Sequence, residues 1–563
     1  MLFRSRRLFI NEQVCEGCGD CSVQSNCVAV LPLETPLGRK RRIDQSSCNK
    51  DYSCAKGFCP SFVGVIGGRP RKRIGALAAN SGEFQRRIDA LPLPTDPHWT
   101  GPYDLLITGV GGTGVVTVGA LVAMAAHLEG HSSSVLDFMG FAQKGGSVLS
   151  FVRLADVPER LNQVRIDTQQ ADALLACDLV VGASAEALQT VRRGRTRILA
   201  NTHEVPVAES LRNPDASLRA AQLLDKLRFA AGADRLETLD AQALAEEWIG
   251  DAIVSNIVML GSAWQRGLVP VGLAALRRAI DLNGVGVETN LLAFSLGRLA
   301  VGDPQAVHAL RGASAAPAEP AALEPLAEVL AEVLARGVAH LSAYQDAAYA
   351  RRYLAFVDKV RRHEAQLGAD PALPFSVAVA RSLLKLMAIK DEYEVARLYT
   401  DGRFRAALEE QFEGDLRLEF YMAPPLLSRS RNGQPPRKFR LPGWLMPVLK
   451  LLARARVLRG TLFDVFGRTT ERRMERALIE AYTVRIEALL PTLDARRLKL
   501  ACEIAALPLQ LRGFGHVKLA NVALTRAREA EMLHRFDPAA YPKPAPTREA
   551  GQIRGIAVTS ALR

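Results

Sequence analysis

The sequence predicts a multidomain protein in which a small cysteine-rich unit is followed by an α/β unit and then by a mostly α-helical one. Three observations carry this expectation. Seven of the nine cysteines fall before residue 60. An uncharged run from Leu105 to Ala126, "LLITGVGGTGVVTVGALVAMAA", reads as a buried strand, a glycine turn and a helix. Beyond residue 325, apolar residues recur at helical spacing. At 563 residues the chain is too long for one core, and domains of roughly 100 to 200 residues suggest about three or four units. The boundaries expected are residues 1–95, 100–305, a linker at 306–325, 326–540 and a polar tail at 541–563.

A formal net charge of +13 calls for an acidic partner or an anionic cofactor, because net charge speaks to steering. Nucleic acid is disfavoured in that role, since the arginines are spread along helical stretches with acids between them, the pattern of a solvated face. The N-terminal "MLFRSRRLFI" lacks the apolar stretch of about 7 to 15 residues that a secretory signal needs, so the protein is expected in the cytoplasm. The run from Leu105 is long enough to cross a bilayer, but glycines at 109, 111, 112 and 114 break it, and no membrane is expected.

The clustered cysteines are Cys15, Cys18, Cys21, Cys27, Cys48, Cys54 and Cys59; Cys177 and Cys502 stand alone in apolar contexts and read as small buried hydrophobes. An odd count in a cytoplasmic chain fits a disulfide framework poorly. Structural zinc would use two separated C-x2-C knuckles, often with histidine, and the first histidine is His98. An iron-sulfur cluster fits better, because C-x2-C-x2-C supplies three thiolates and a distant Cys-Pro the fourth, as in bacterial two-cluster ferredoxins. Cys15, Cys18, Cys21 and Cys59, the last followed by Pro60, are therefore assigned to one [4Fe–4S] cluster in a ferredoxin-like domain. Cys27, Cys48 and Cys54 form the corresponding second set, but the spacings C-x5-C and C-x4-C depart from the regular pattern and a fourth thiolate is missing. A second cluster there is three-iron, or takes Asp44 or Asp51 as a ligand, or is absent. Two basic runs flank the cysteines, "GRKRR" ending at Arg42 and "RPRKR" ending at Arg73. They serve either surface solubility or the docking of an acidic ferredoxin.

The second unit opens with "YDLLIT" as a buried parallel strand, then "GVGGTG" and a helix, with "SSSVLDF" as a second strand ending near Asp137. Gly109, Gly111, Gly112 and Gly114 thus meet the context test for a Rossmann-like dinucleotide fingerprint. The alternative is that they only let strand, turn and helix approach closely.

The loop "MGFAQKGGSVLSFVRL" then departs from a plain Rossmann course, and "AIDLNGVGVETNLLAFSLGR" closes the unit. From about Tyr103 to Arg298 the chain resembles the γ domain of the 2-oxoacid:ferredoxin oxidoreductases. The cysteine region, with "CEGCGDCSVQSNC", "RKRRIDQSSCNKDYSC" and "GFCPSF", is similar to the ferredoxin segment of long bacterial indolepyruvate ferredoxin oxidoreductases. An Ala/Pro stretch, "GASAAPAEPAALEP", separates the γ-like block from the helical unit, where Leu326, Val329, Leu330, Val333 and Leu334 share one helical face. There, "LMAIKDEYEVARLYTDG", "FYMAPPLL", "LRGTLFDVFG" and "RGFGHVKLANV" look like the C-terminal helical region of the same enzymes. Lys390, Asp391, Glu392, Glu394, His516 and Lys518 invite a catalytic reading, but ion pairs and helix caps use the same residues, and structural roles are expected.

The resemblance implies oxidative decarboxylation of an aryl-2-oxoacid such as indolepyruvate, transfer of the acyl group to coenzyme A and reduction of ferredoxin. The decarboxylation belongs to thiamine diphosphate with Mg²⁺, held by a GDG motif that this sequence lacks. The chain is therefore expected to be an oxidoreductase component, the electron-transfer and γ portion, needing a partner chain with the thiamine domains. A diphosphate such as that of coenzyme A would sit at the N–H groups of Gly111 to Gly114, with Lys144 as a second contact. The competing class is an NAD- or flavin-linked iron-sulfur protein that uses "GVGGTG" as its dinucleotide site.

Overall fold

The fold is taken from a computed structural model that describes residues 6–27, 29–46, 48–71, 81–94, 101–139, 146–203, 220–312, 330–368, 370–423 and 438–544. The N-terminal stretch contributes β1 (Arg6–Ile10), β2 (Val30–Leu33), β3 (Lys40–Ile43), β4 (Phe62–Ile66) and β5 (Arg69–Pro70). β1 and β4 pair antiparallel with Leu8 opposite Gly64, and β2 and β3 form a hairpin with Val30 opposite Ile43.

A six-stranded sheet follows: β6 (Tyr103–Val110), β7 (Ser132–Met139), β8 (Ser147–Ala155), β9 (Ala173–Ala176), β10 (Arg197–Asn201) and β11 (Leu236–Leu239), in the order β11-β10-β9-β6-β8-β7. β6, β9, β10 and β11 are parallel, whereas β8 runs antiparallel to both β6 and β7. Every residue of β6 is buried, as a central strand covered on both faces requires. The "SSSVLDF" strand is β7, but it does not lie beside β6, because β8 is inserted between them. The reason is length: residues 140–146 are too few for a parallel crossover, which needs about a dozen or more, so β7 and β8 close as an antiparallel pair. The sheet is mixed, and the plain Rossmann order is broken at its second strand.

Below the sheet, helices Ser255–Gln265 and Val287–Gly302 cross in close contact. A Cβ on Gly261 would lie 2.0 Å from the Phe294 carbonyl oxygen, and one on Gly297 would lie 2.0 Å from that of Val258. The glycine of the "AF..GR" stretch thus serves backbone approach, and the Ser262 hydroxyl donates to the Gly297 carbonyl at 2.9 Å.

The helical unit holds, among others, helices Leu330–Tyr344, Ala347–Leu367, Pro374–Met387, Glu392–Thr400, Thr470–Leu489 and Gly515–Phe536. Leu330 and Val333 are buried in its core as the periodicity predicts, while Leu326 and Val329 lie outside the described residues. It also contains strands that helical periodicity does not signal: β12 (Phe412–Glu413), β13 (Arg417–Met422) and β14 (Phe439–Pro442).

Those strands change how the chain divides. β13 pairs antiparallel with β4, giving a sheet in the order β1-β4-β13-β14, and β12 pairs with β5. One apolar core joins Phe9, Val63 and Val65 to Tyr399, Phe404 and Phe420. The cysteine-rich stretch is therefore built onto the C-terminal unit. The end of the stretch expected as 1–95 belongs elsewhere, since Phe84, Ile88 and Leu91 of helix Ser81–Asp89 and its exit pack in the α/β core. Helix Pro304–Gly312 likewise carries the α/β unit into the stretch expected as linker. No described helix is long and apolar enough to cross a membrane.

Candidate functional site

The first cysteine loop leaves β1 at Asn11, whose buried side-chain amide donates to the Leu398 carbonyl at 3.1 Å. The Cys15 N–H closes back on the Asn11 carbonyl, and the Gly17 N–H points at Cys15 Sγ, 3.3 Å away. Gly17 and Gly19 adopt φ of 67° and 78°, left-handed values that turn the chain into the short helix Asp20–Ser25 carrying Cys21. Asp20 then reaches across, accepting the Phe58 N–H at 2.6 Å. Gly57 lies so close that a Cβ there would meet Cys21 Cα at 2.9 Å. This contact brings the Cys59 segment against the Cys15–Cys21 loop, and the Tyr399 hydroxyl holds it by donating to the Pro60 carbonyl at 2.6 Å.

The thiols fall into two groups. Burial, then the neighbouring Cys59, Cys15 and Cys18, push the Cys21 thiol well above its ordinary range. Burial and then Cys59 do the same to Cys18, and burial raises Cys59 with Cys15 adding to it. Cys54 is pushed up to about 12 by burial first, then by Cys48, Cys27 and Asp51. Cys59, Cys15 and Cys18 thus neighbour Cys21, and Cys48 and Cys27 neighbour Cys54. All nine cysteines are unbridged. Among the described residues, no three His, Cys, Asp or Glu side chains form a group that could hold a metal ion. Asp44 and Asp51 both serve local turns, Asp44 accepting from Ser46 N–H at 3.0 Å and Asp51 from Ser53 N–H at 3.0 Å.

Buried cations surround these thiols. Lys438 donates to the Ala55 and Gly57 carbonyls at 3.0 and 2.6 Å, and its charge is felt by Cys59, Cys21 and Cys54. Lys40 and Arg41 of β3 are only 6% and 3% exposed. This corrects the two surface roles expected of "GRKRR": the middle of that run faces inward, with Arg41 beside Cys21. Burial and then Lys390 lower the Lys40 ammonium to about 7. In "RPRKR", Arg69 and Arg71 are exposed, while Lys72 and Arg73 lie outside the described residues.

The C-terminal motifs prove to be the housing of the cysteine loop. A Cβ on Gly513 would stand 3.4 Å from Cys18 Cβ, and the His516 ring lies 4.9 Å from the Phe58 ring. Lys390 donates to the Val14 and Cys15 carbonyls and pairs with Glu16 at 2.8 Å. Asp391 caps helix Glu392–Thr400 through the Glu394 N–H and is held by Arg459 at 2.6 Å. Glu394 pairs with Arg397, Glu392 with Arg472, and Lys518 with Glu475. These are the structural roles expected of them. Sequence reasoning missed Lys438, Lys390 and Gly513 as neighbours of the thiols, because nothing in local spacing reports a contact across hundreds of residues.

At the glycine turn, the Gly111 N–H donates to the Gly146 carbonyl at 2.8 Å. Gly112 and Gly114 have φ of 86° and 92° with open space around them, whereas a Cβ on Gly109 would lie 2.6 Å from Val115 Cγ2. Gly109 is thus needed for packing and the other two for conformation. Asn256 holds the turn from beneath, donating to the Thr113 carbonyl at 2.8 Å. Lys144 lies outside the described residues. Asp137 sits on β7, two strands from β6, a separation of about 10 Å rather than the single strand spacing of a dinucleotide site. Cys177 is buried, as expected, while Cys502 is only partly so.

Residues 104–300 match the family model described as pyruvate ferredoxin/flavodoxin oxidoreductase, and residues 330–531 match a family of unknown function, DUF6537. The indolepyruvate oxidoreductase subunit IorB of Thermococcus kodakarensis is 26% identical over 200 residues, 35% of this chain and 94% of that one. The gamma subunit of an NADH-dependent phenylglyoxylate dehydrogenase from Aromatoleum evansii is 27% identical over 38% of this chain and its own whole length. Pyruvate synthase subunit PorC of Methanothermobacter thermautotrophicus is 30% identical over 165 residues, 29% of this chain and 76% of that subunit. With the family model lying over the mixed sheet and its glycine turn, and PorC 30% identical over 76% of its own length, the chain belongs to the 2-oxoacid:ferredoxin oxidoreductase family and carries its γ-type portion.

Proposed function

We propose that this chain is the electron-transfer and γ component of an aryl-2-oxoacid ferredoxin oxidoreductase acting on indolepyruvate or a close analogue. It works in the cytoplasm with a partner chain bearing thiamine diphosphate and Mg²⁺, with coenzyme A as co-substrate and ferredoxin as acceptor. The observation that carries this reading is the packing of the Cys59 segment against the Cys15–Cys21 loop, with Gly57 against Cys21, the Phe58 N–H on Asp20 and buried Lys438 on the Ala55 and Gly57 carbonyls. Free thiols so crowded resist ionisation, and bound iron reverses that preference.

The donor set suits a [4Fe–4S] cluster, which would supply one-electron transfer between substrate oxidation and the acceptor. The chain's own residues do the rest. Gly17 N–H aimed at Cys15 Sγ and the Ser61 hydroxyl 3.0 Å from Cys59 Sγ place hydrogen bonds on ligand sulfurs. Together with Lys438, Lys40 and Arg41 they would favour the more negative, reduced state of a bound cluster. Cys27, Cys48 and Cys54 form the candidate second set. At the other unit, the Gly111 and Thr113 N–H groups of the expected anion site are taken by the Gly146 and Val110 carbonyls, which leaves those of Gly112 and Gly114 at the opening of helix Val115–Leu128 for a diphosphate, with Lys144 as a second contact. A partner is also supported by Trp444, Val448 and Leu451, apolar residues at helical spacing that are 70%, 48% and 69% exposed.

The NAD- or flavin-linked alternative loses support from the position of Asp137. The test is an anaerobic pull-down of the tagged chain with an assay of indolepyruvate-dependent viologen reduction. A co-purifying thiamine-binding chain, and activity abolished by Cys18→Ala, is the expected result. A brown protein that comes down alone and reduces the dye with NAD(P)H overturns the reading.

A further inference from the structure

Where the cysteine loop meets the helical unit there is a small cavity, partly open to solvent, whose polar lining is Glu16, Lys385, Lys390, Glu475 and Lys518. The lysines come from three separate places: helix Pro374–Met387, the connection after it, and helix Gly515–Phe536. Glu16 is shared between Lys390 at 2.8 Å and Lys385 at 3.4 Å. Glu475 is shared between Lys518 and Arg472, and Arg472 is shared in turn with Glu392 at 3.3 Å. Lys40 approaches from β3, close enough to interact with Lys390, Glu16 and Lys385.

Four cations, Lys385, Lys390, Lys518 and Arg472, therefore meet three carboxylates, Glu16, Glu475 and Glu392, an excess of one positive charge before Lys40 is counted. Adding the more distant Arg512 and Glu471 leaves that excess unchanged. Unbalanced charge away from water is costly, and a bound counter-ion removes the cost. The Arg472 guanidinium fork is already committed to Glu392 and Glu475, so the cavity offers ammonium groups, point charges suited to a phosphate rather than to a planar carboxylate.

We propose that this cavity is a binding site for a phosphate-type oxyanion, either free or carried on a nucleoside, and that its occupancy is felt at the Cys15 loop. The physical link is Lys390, whose ammonium touches Glu16 in the cavity and also donates to the Val14 and Cys15 carbonyls. An anion that draws on Lys385 and Lys390 competes with Glu16 and adds negative charge beside the first cysteine group. This second half rests on the iron-sulfur reading above, and there it lowers the reduction potential.

The experiment uses the full chain, purified anaerobically in chloride buffer. Isothermal titration with inorganic phosphate, and separately with adenosine 3′,5′-bisphosphate, is followed by a redox titration with and without saturating phosphate. One saturable site is expected, with phosphate alone sufficient if the anion is free and the bisphosphate required if it is carried on a nucleoside. Lys385→Gln and Lys518→Gln should each weaken binding about tenfold, and Arg228→Gln, on an exposed helix, should not change it. Circular dichroism checks that each variant folds, and Lys518→Gln serves if Lys385→Gln does not. No saturable heat with either probe, or unchanged affinity in both lysine variants, overturns the site. Phosphate that binds an iron-loaded chain without lowering its potential overturns the link alone. A chain that binds phosphate but holds no iron or sulfide after reconstitution overturns the iron-sulfur reading and leaves the site standing.

Discussion

The Lys390 ammonium donates to the Cys15 carbonyl at 3.0 Å, although 375 positions separate them in sequence. Through this bond a helical unit that matches a family of unknown function acquires a physical role, as the housing of a cysteine loop. Replacing Lys390 with Met removes that bond, the bond to Val14 and the closer of the two partners of Glu16. Removing one member of a buried charged network costs about 3 kcal/mol. Urea unfolding should show a loss of that order, and reconstituted Lys390→Met should retain less iron than the parent chain.

The two cysteine groups predict selective effects on iron content. Cys18→Ala should remove about four irons per chain, the content of one cubane. Cys177→Ala lies far from both groups in the α/β core and should remove none, while costing about 1 kcal/mol for the small cavity it leaves. Iron and sulfide assays on the three reconstituted proteins check both statements.

Two glycines separate steric from conformational need. Gly261→Ala drives a Cβ to 2.0 Å from a backbone oxygen, so helices Ser255–Gln265 and Val287–Gly302 must part, at a cost of about 3 kcal/mol or more. Gly114→Ala meets nothing, and only its φ of 92° is strained, at about 1 to 2 kcal/mol. Thermal unfolding should rank the variants in that order.

His340 gives a pH dependence. Burial first, then Arg397 and Lys390, lower its imidazolium to about 4 from 6.5. Glu394 Oε1 lies 3.8 Å away but is already held by Arg397, so it does little to favour protonation. Between those values the unfolded chain binds the proton more readily than the folded one. Stability therefore falls as pH drops from about 6.5 towards 4, by up to about 3 kcal/mol from this residue. Urea midpoints at pH 7 and pH 5 should differ less in His340→Gln than in the parent protein.

Much of the α/β unit is legible locally. The apolar run at Leu105–Val110, the turn at Gly112 and Gly114 and the helix after it form as their pattern dictates, because each depends on neighbours within a few residues. The antiparallel insertion of β8 is less legible, since pairing partners are chosen by connection length and burial rather than by propensity.

The sequence by itself determined the family, through ordered uncommon motifs, and it grouped the seven cysteines by spacing. Only the tertiary structure decided what surrounds them. β4 and β13 pair edge to edge, and the apolar face they share is buried against the helices at Tyr399 and Phe404, so two stretches hundreds of residues apart share one core. That shared core turns Lys40 and Arg41 inward and sets Lys438, Lys390 and Gly513 against the thiols. Buried charge needs partners, and those partners come from the far end of the chain.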